Sequence, residues 1–153
     1  MHPLGTMTAI LLIGIPASGK STFYRQHFFD SHVRISLDML KTRHREMLLV
    51  QACLAARQPF VVDDTNATRS VRARFIGPSR EAGFQVIGYC LGFDVQEALE
   101  RNRQRTGAAR IPDAGIRAAA ARKELPTSEE GFDRLWHVRM DGCGGFIIEK
   151  WRD

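Results

Sequence analysis

The sequence predicts an α/β fold, a parallel sheet with helices on both faces, and three features carry that prediction. Short apolar runs alternate along the chain with longer stretches of helical periodicity. The first run, residues 9–13, leads directly into "GIPASGKS" at residues 14–21, which opens a helix. Short turn sequences, "RQP" and "EAG", stand immediately before the third and fourth apolar runs.

Taken in order, residues 9–13 ("AILLI") form a strand without a polar interruption, as a strand buried on both faces requires. Residues 21–29 follow as a helix with Phe at several positions, and residues 33–35 as a second strand. A helix is expected from about Met39, a third strand over 59–62 and a helix from about Thr68, whose hydroxyl suits the N-cap. A fourth strand spans 85–91 and a helix starts near Val95. "RQRTGAARIPDAG" is rich in Gly, Arg and Pro and reads as a mobile lid segment leading to a helix over 116–124. "GFIIEKW" is expected to be a last edge strand. Residues 8–153 make one domain, and residues 1–7, without structural pattern, read as a tag or disordered start.

Composition narrows the class of partner. Hydrophobic residues make up 44% and charged residues 25%, as in ordinary globular proteins, and no apolar run reaches the ~18 residues of a membrane span. No membrane partner is expected. The net charge is +5, and 18 of the 22 basic residues are Arg, which suits bidentate phosphate contacts or a plain solvated surface. Three Cys lie far apart in sequence with no C-x-x-C pair, which points to a reducing, cytoplasmic setting.

The loop carries the chemistry. Gly14 and Gly19 with Lys20 and Ser21 match G-x-x-x-x-G-K-[ST], in which backbone N–H groups turn inward around an anion at a helix N-terminus. That predicts a P-loop NTPase, and a nucleoside-kinase-like fold is the expectation that goes with it. Gly14, Pro16, Ala17, Ser18, Gly19, Lys20, Ser21 and Thr22 form the nucleotide-binding loop, with ATP and Mg²⁺ the expected ligands and Ser21 the residue on Mg²⁺.

Ligands of such sheets bind beyond the carboxyl ends of the strands. After the second strand comes Asp38, either a helix N-cap or a base that accepts the proton of an attacked hydroxyl. After the third come Asp63 and Asp64, either of which could orient Mg²⁺ through water, and then Thr65 and Asn66, read as acceptor-side residues or as a turn. After the fourth, Arg101 and Arg105 share a helical face, for charge on a transferring phosphoryl group or as a solvated basic surface.

"GIPASGKSTF", "SLDML", "VVDDTNATRSVRARF", "LERNRQR", "IPDAGI" and "PTSEEGFDRLWHV", in this order, resemble the kinase domain of the 5′-polynucleotide kinases, over residues 8–139. The resemblance implies transfer of the γ-phosphate of ATP to the 5′-hydroxyl of DNA or RNA. By the same resemblance Lys20 and Ser21 hold phosphate and Mg²⁺, Asp38 is the general base, and Arg101 and Arg105 contact phosphates from the lid region. Asp64, Thr65 and Asn66, with Asp38 and Lys41, fall on the acceptor side. The family usually has N-R-D where Ser36-Leu37-Asp38 stands, and the phage enzyme has Arg at the position of Lys41. Both departures touch acceptor docking. Two other readings remain: a kinase of a small alcohol such as a sugar, antibiotic or nucleotide sugar, and an ATP-binding module that transfers nothing.

Overall fold

The computed structural model describes residues 7–92 and 94–153. The expectation of a tag or disordered start lies outside the described residues except at Met7, whose carbonyl accepts from Gln85 N at 2.9 Å.

The strands are β1 (Thr8–Ile13), β2 (Val33–Ile35), β3 (Phe60–Asp63), β4 (Gln85–Leu91), β5 (Arg134–Met140) and β6 (Phe146–Lys150). They form one sheet in the order β2-β3-β1-β4-β5-β6. The β1–β3, β1–β4, β2–β3 and β4–β5 pairs are parallel, and β6 closes the edge antiparallel to β5. The helices are α1 (Lys20–His27), α2 (Leu37–Leu40), α3 (Arg43–Ala56), α4 (Arg69–Glu81), α5 (Val95–Arg103) and α6 (Asp113–Arg122). Among the described residues no helix is long and apolar enough to cross a membrane.

The two-residue period of the strands sorts the core onto two faces. Ala9, Leu11 and Ile13 pack with Val50 of α3 and Phe75 and Ile76 of α4 on one face. Ile10 and Leu12 pack with Phe23 and Tyr24 of α1 on the other. A third cluster joins Ile15 and Ala17 of the loop after β1 to Ala98 and Leu99 of α5 and Ile116 and Ala119 of α6. That cluster seats the lid helices directly on the glycine loop.

Three elements depart from the sequence expectation. The helix expected from Met39 is two helices: Lys41 takes a left-handed φ of 74°, ending α2, and the Thr42 side chain caps α3 by accepting from Arg45 N. The lid helix starts earlier, at Asp113, and the segment before it contains a 3₁₀ turn at Gly107–Ala109. The strand β5 was not expected at all, because Arg134, Arg139 and the half-buried Trp136 and His137 interrupt its apolar alternation.

Candidate functional site

The site forms where the chain reverses direction across the sheet, at the carboxyl end of β1 between β3 and β4. Gly14 and Gly19 are required there for different reasons. A Cβ on Gly14 would stand 2.6 Å from Ser18 Oγ and 2.7 Å from Leu91 O. Gly19 has φ +99°, and a Cβ on it would meet Met140 Cε at 2.6 Å and Arg101 Nη1 at 3.3 Å. Gly14 N donates to Thr65 O at 3.0 Å, so the loop after β3 steadies the start of the phosphate loop. Pro16 is half-buried, Ala17 and Ser18 are buried, and Thr22 is exposed on α1.

Lys20 folds back on the loop, its Nζ donating to Gly14 O at 2.9 Å and Ile15 O at 3.0 Å. Burial pushes its ammonium down to about 8, opposed by the charges of Asp63, Asp38 and Asp64 and assisted by Arg105.

The two aspartates after β3 do different work. Ser21 Oγ donates to Asp63 Oδ2 at 3.2 Å, and Arg34 Nε donates to the same oxygen at 2.8 Å. Asp64 turns the other way: its Oδ1 accepts from Leu37 N at 2.8 Å, and its Oδ2 lies 3.5 Å from Arg43 Nη1, which also donates to Glu46 Oε1 at 2.6 Å. Glu46 is fully buried and its Oε2 has no other partner among the described residues. Burial, and then its buried acid neighbour Glu46, pushes the Asp64 carboxyl up to about 8, opposed by Leu37 N and the charge of Arg43. Of the two candidates for the metal, Asp63 therefore adjoins Ser21, and Asp64 does not.

Asp38 is exposed in the first turn of α2 and is not a cap. The N-cap is Ser36, and the Asp38 carboxylate makes no hydrogen bond or ion pair among the described residues. Lys41 is exposed beside it. Thr65 contributes its carbonyl to the frame, and Asn66 is buried with φ +47°, its Nδ2 donating to Leu12 O at 2.7 Å. The Asn66 amide thus ties the loop after β3 to β1, and its Oδ1 has no hydrogen-bond partner among the described residues. Thr68 caps α4 as expected, accepting from Val71 N at 3.3 Å.

Arg101 lies against the glycine loop, its Nη1 on the Met140 sulfur. Burial, then the neighbouring charge of Arg105, lowers its pKa. Arg105 Nη1 donates to Ala109 O at 3.3 Å at the start of the lid. On the buried face of α5, Asn102 clamps the lid, donating to Ile111 O at 2.6 Å and accepting from Ile111 N at 3.0 Å. Beside Ala17 and Ser18 a cavity of about 260 Å³ opens, walled by Arg101, His137, Met140 and Phe146.

Arg34, Glu46, Arg43 and Asn102 escaped the sequence reading. One signal was available: a charged residue at the centre of the three-residue strand "VRI" is rarely there for packing.

A P-loop kinase-like domain is the class this fold and loop define. Residues 10–126 match the family model described as AAA domain, and the chain belongs to that family. It is homologous to the bifunctional polynucleotide phosphatase/kinase of Schizosaccharomyces pombe, 27% identical over 135 residues that cover 84% of this chain and 33% of that protein. The chain thus spans about a third of that relative's length. In fold it is similar to Chaetomium thermophilum Kti12, with TM-score 0.66, 19% identity and 87% and 89% of the two chains covered. It is also similar to a gluconokinase from Sinorhizobium meliloti 1021, with TM-score 0.60, 20% identity and 88% and 83% covered.

Proposed function

We propose that the chain binds ATP with Mg²⁺ and transfers the γ-phosphate to a hydroxyl, the 5′-hydroxyl end of DNA or RNA. The observation that carries this reading is the free carboxylate of Asp38. Ser36 and not Asp38 holds the N-cap position, and Asp38 makes no hydrogen bond or ion pair among the described residues, while its charge reaches Lys20 of the phosphate loop. A carboxylate without a partner beside a phosphate loop suits a general base.

In this reading the acceptor O–H breaks with its proton passing to Asp38, as the new O–P bond forms and the bond to the ADP leaving oxygen breaks. Loop N–H groups and Lys20 hold the phosphates, and Arg101 and Arg105 oppose the charge that spreads over the transferring group. The cavity walled by Arg101, Met140 and His137 takes the nucleobase. Ser21 Oγ and Asp63 offer hard oxygen donors of the kind Mg²⁺ selects, Asp63 acting through water. An ion held there would supply positive charge to offset that of the phosphates. Among the described residues no cluster of three or more His, Cys, Asp or Glu could hold an ion.

The choice of a polynucleotide acceptor draws on homology to the polynucleotide phosphatase/kinase and on the exposed Lys41, His44 and Arg45 that follow Asp38. Salt tests it. The acceptor KM should rise with ionic strength at a log–log slope of about 0.7 per phosphate contacted on a single strand. A KM flat from low to moderate salt contradicts a nucleic-acid acceptor.

A further inference from the structure

Arg34 stands at the centre of β2, yet its guanidinium reaches across to the residues after β1 and at the end of β3. Nε donates to Asp63 Oδ2 at 2.8 Å, and Nη2 donates to Ser21 Oγ at 3.3 Å. Ser21 Oγ donates in turn to Asp63 Oδ2 at 3.2 Å, which closes a ring of three groups.

The Asp63 side chain is only 2% exposed, and a carboxylate so far from water needs a cation. Arg34 meets that need in the nucleotide-free protein. The Ser21 hydroxyl has committed its proton to Asp63 and one lone pair to Arg34. These are the same two groups that the proposed reading gives to the metal, Ser21 Oγ directly and Asp63 through water. A divalent ion seated there and a guanidinium hydrogen-bonded to both groups would repel strongly in a half-buried site. The Arg34 side chain is 33% exposed, so it has solvent to withdraw into.

We infer that Arg34 is the resident counter-cation of the empty site, and that loading of a metal–nucleotide complex expels its Nη2 from Ser21. The inference rests on the reading of Ser21 and Asp63 as the metal-side pair. Its consequence is competition. Arg34 keeps the metal-free pair closed, and the metal must displace it. In the opposite arrangement Arg34 is a buttress that orients Asp63, and its loss weakens metal binding.

Mn²⁺ titration in the presence of saturating ADP, with free Mn²⁺ read by electron paramagnetic resonance, separates the two. Arg34→Gln is expected to bind Mn²⁺ about tenfold or more tighter than the unaltered protein. Its ADP affinity in EDTA should stay within about twofold. Equal or weaker Mn²⁺ affinity in Arg34→Gln overturns the inference. ADP that binds neither protein with metal present defeats the phosphate-loop reading itself, and the inference falls with it. In the unaltered protein, the ¹⁵N Nε–H resonance of Arg34, assigned by its loss in Arg34→Lys, gives a check independent of the Gln variant's folding. It should shift on addition of Mg²⁺ with ADP and stay in place with ADP in EDTA. A resonance unmoved by Mg²⁺ and ADP overturns the inference as well.

Discussion

Leu37 N donates to Asp64 Oδ1 at 2.8 Å, and this bond fixes the residue before Asp38 to the end of β3. Two strand ends that are distant in sequence are thereby locked beside the phosphate loop. The acid that holds Leu37 is itself held by Arg43 and Glu46, so the position of Asp38 depends on three buried or half-buried charges.

Asp38→Asn preserves shape and removes only the base. Because the carboxylate has no partner to lose, thermal stability should be unchanged while kcat falls ~10²- to 10⁴-fold. Full activity in a folded, ATP-binding Asp38→Asn protein would exclude Asp38 as the base.

Lys20 gives a pH dependence with a definite sign. Burial lowers its pKa to about 8 in the free protein, and phosphates bind the charged form. ADP affinity should therefore be full below pH 8 and decline as pH rises through that value. Titration calorimetry of Lys20→Met should lose this decline, and transfer in that variant should fall by about 10² or more.

Asp64 gives a second pH dependence, in stability and not in binding. Its carboxyl is raised to about 8 when folded, against an ordinary value of 3.8, so the folded state binds the extra proton between those limits. Stability from the protonated Asp64 is present at low pH and is lost as pH rises from about 4 toward 8. Asp64→Asn imitates the protonated acid, accepting from Leu37 and donating to Glu46. Its melting temperature should vary less with pH over this window than that of the unaltered protein. An identical pH profile in both would mean that Asp64 holds no extra proton in the folded protein across that window.

Arg101→Ala should lower kcat by about 10² or more, because its guanidinium lies on the glycine loop. Arg80 serves as the surface comparison, exposed and bonded to Gly131 O at 2.9 Å. Arg80→Ala should leave kcat unchanged. Equal, small effects at both positions would make Arg101 a surface arginine.

How far the sequence could be read follows from the kind of signal each part leaves. The parallel sheet and its phosphate loop were legible because buried strands are continuous apolar runs and the glycines have a fixed spacing. The strand β5 was hidden because only Leu135 and Val138 along it are buried. The break between α2 and α3 was hidden because Lys41, neither Gly nor Asn, takes the left-handed turn. In the site, Lys20, Ser21 and Asp38 announced themselves by motif and position. Asp63 and Asp64 could be found but not told apart, since their roles are set by opposite side-chain directions from adjacent residues. Arg34 and Glu46 were illegible for a common reason: a charge on a short strand or an exposed-looking helix reveals its burial only when its partner arrives from elsewhere in the chain.

The most direct test of the central claim is transfer itself. The protein is incubated with Mg²⁺ and γ-labelled ATP, and offered in parallel a 5′-hydroxyl oligonucleotide, the same strand already 5′-phosphorylated, and gluconate. The account predicts label on the 5′-hydroxyl strand alone, abolished by Lys20→Met and reduced at least about a hundredfold by Asp38→Asn. Label on gluconate with none on the oligonucleotide, or no label on any acceptor while ATP binds, would contradict it.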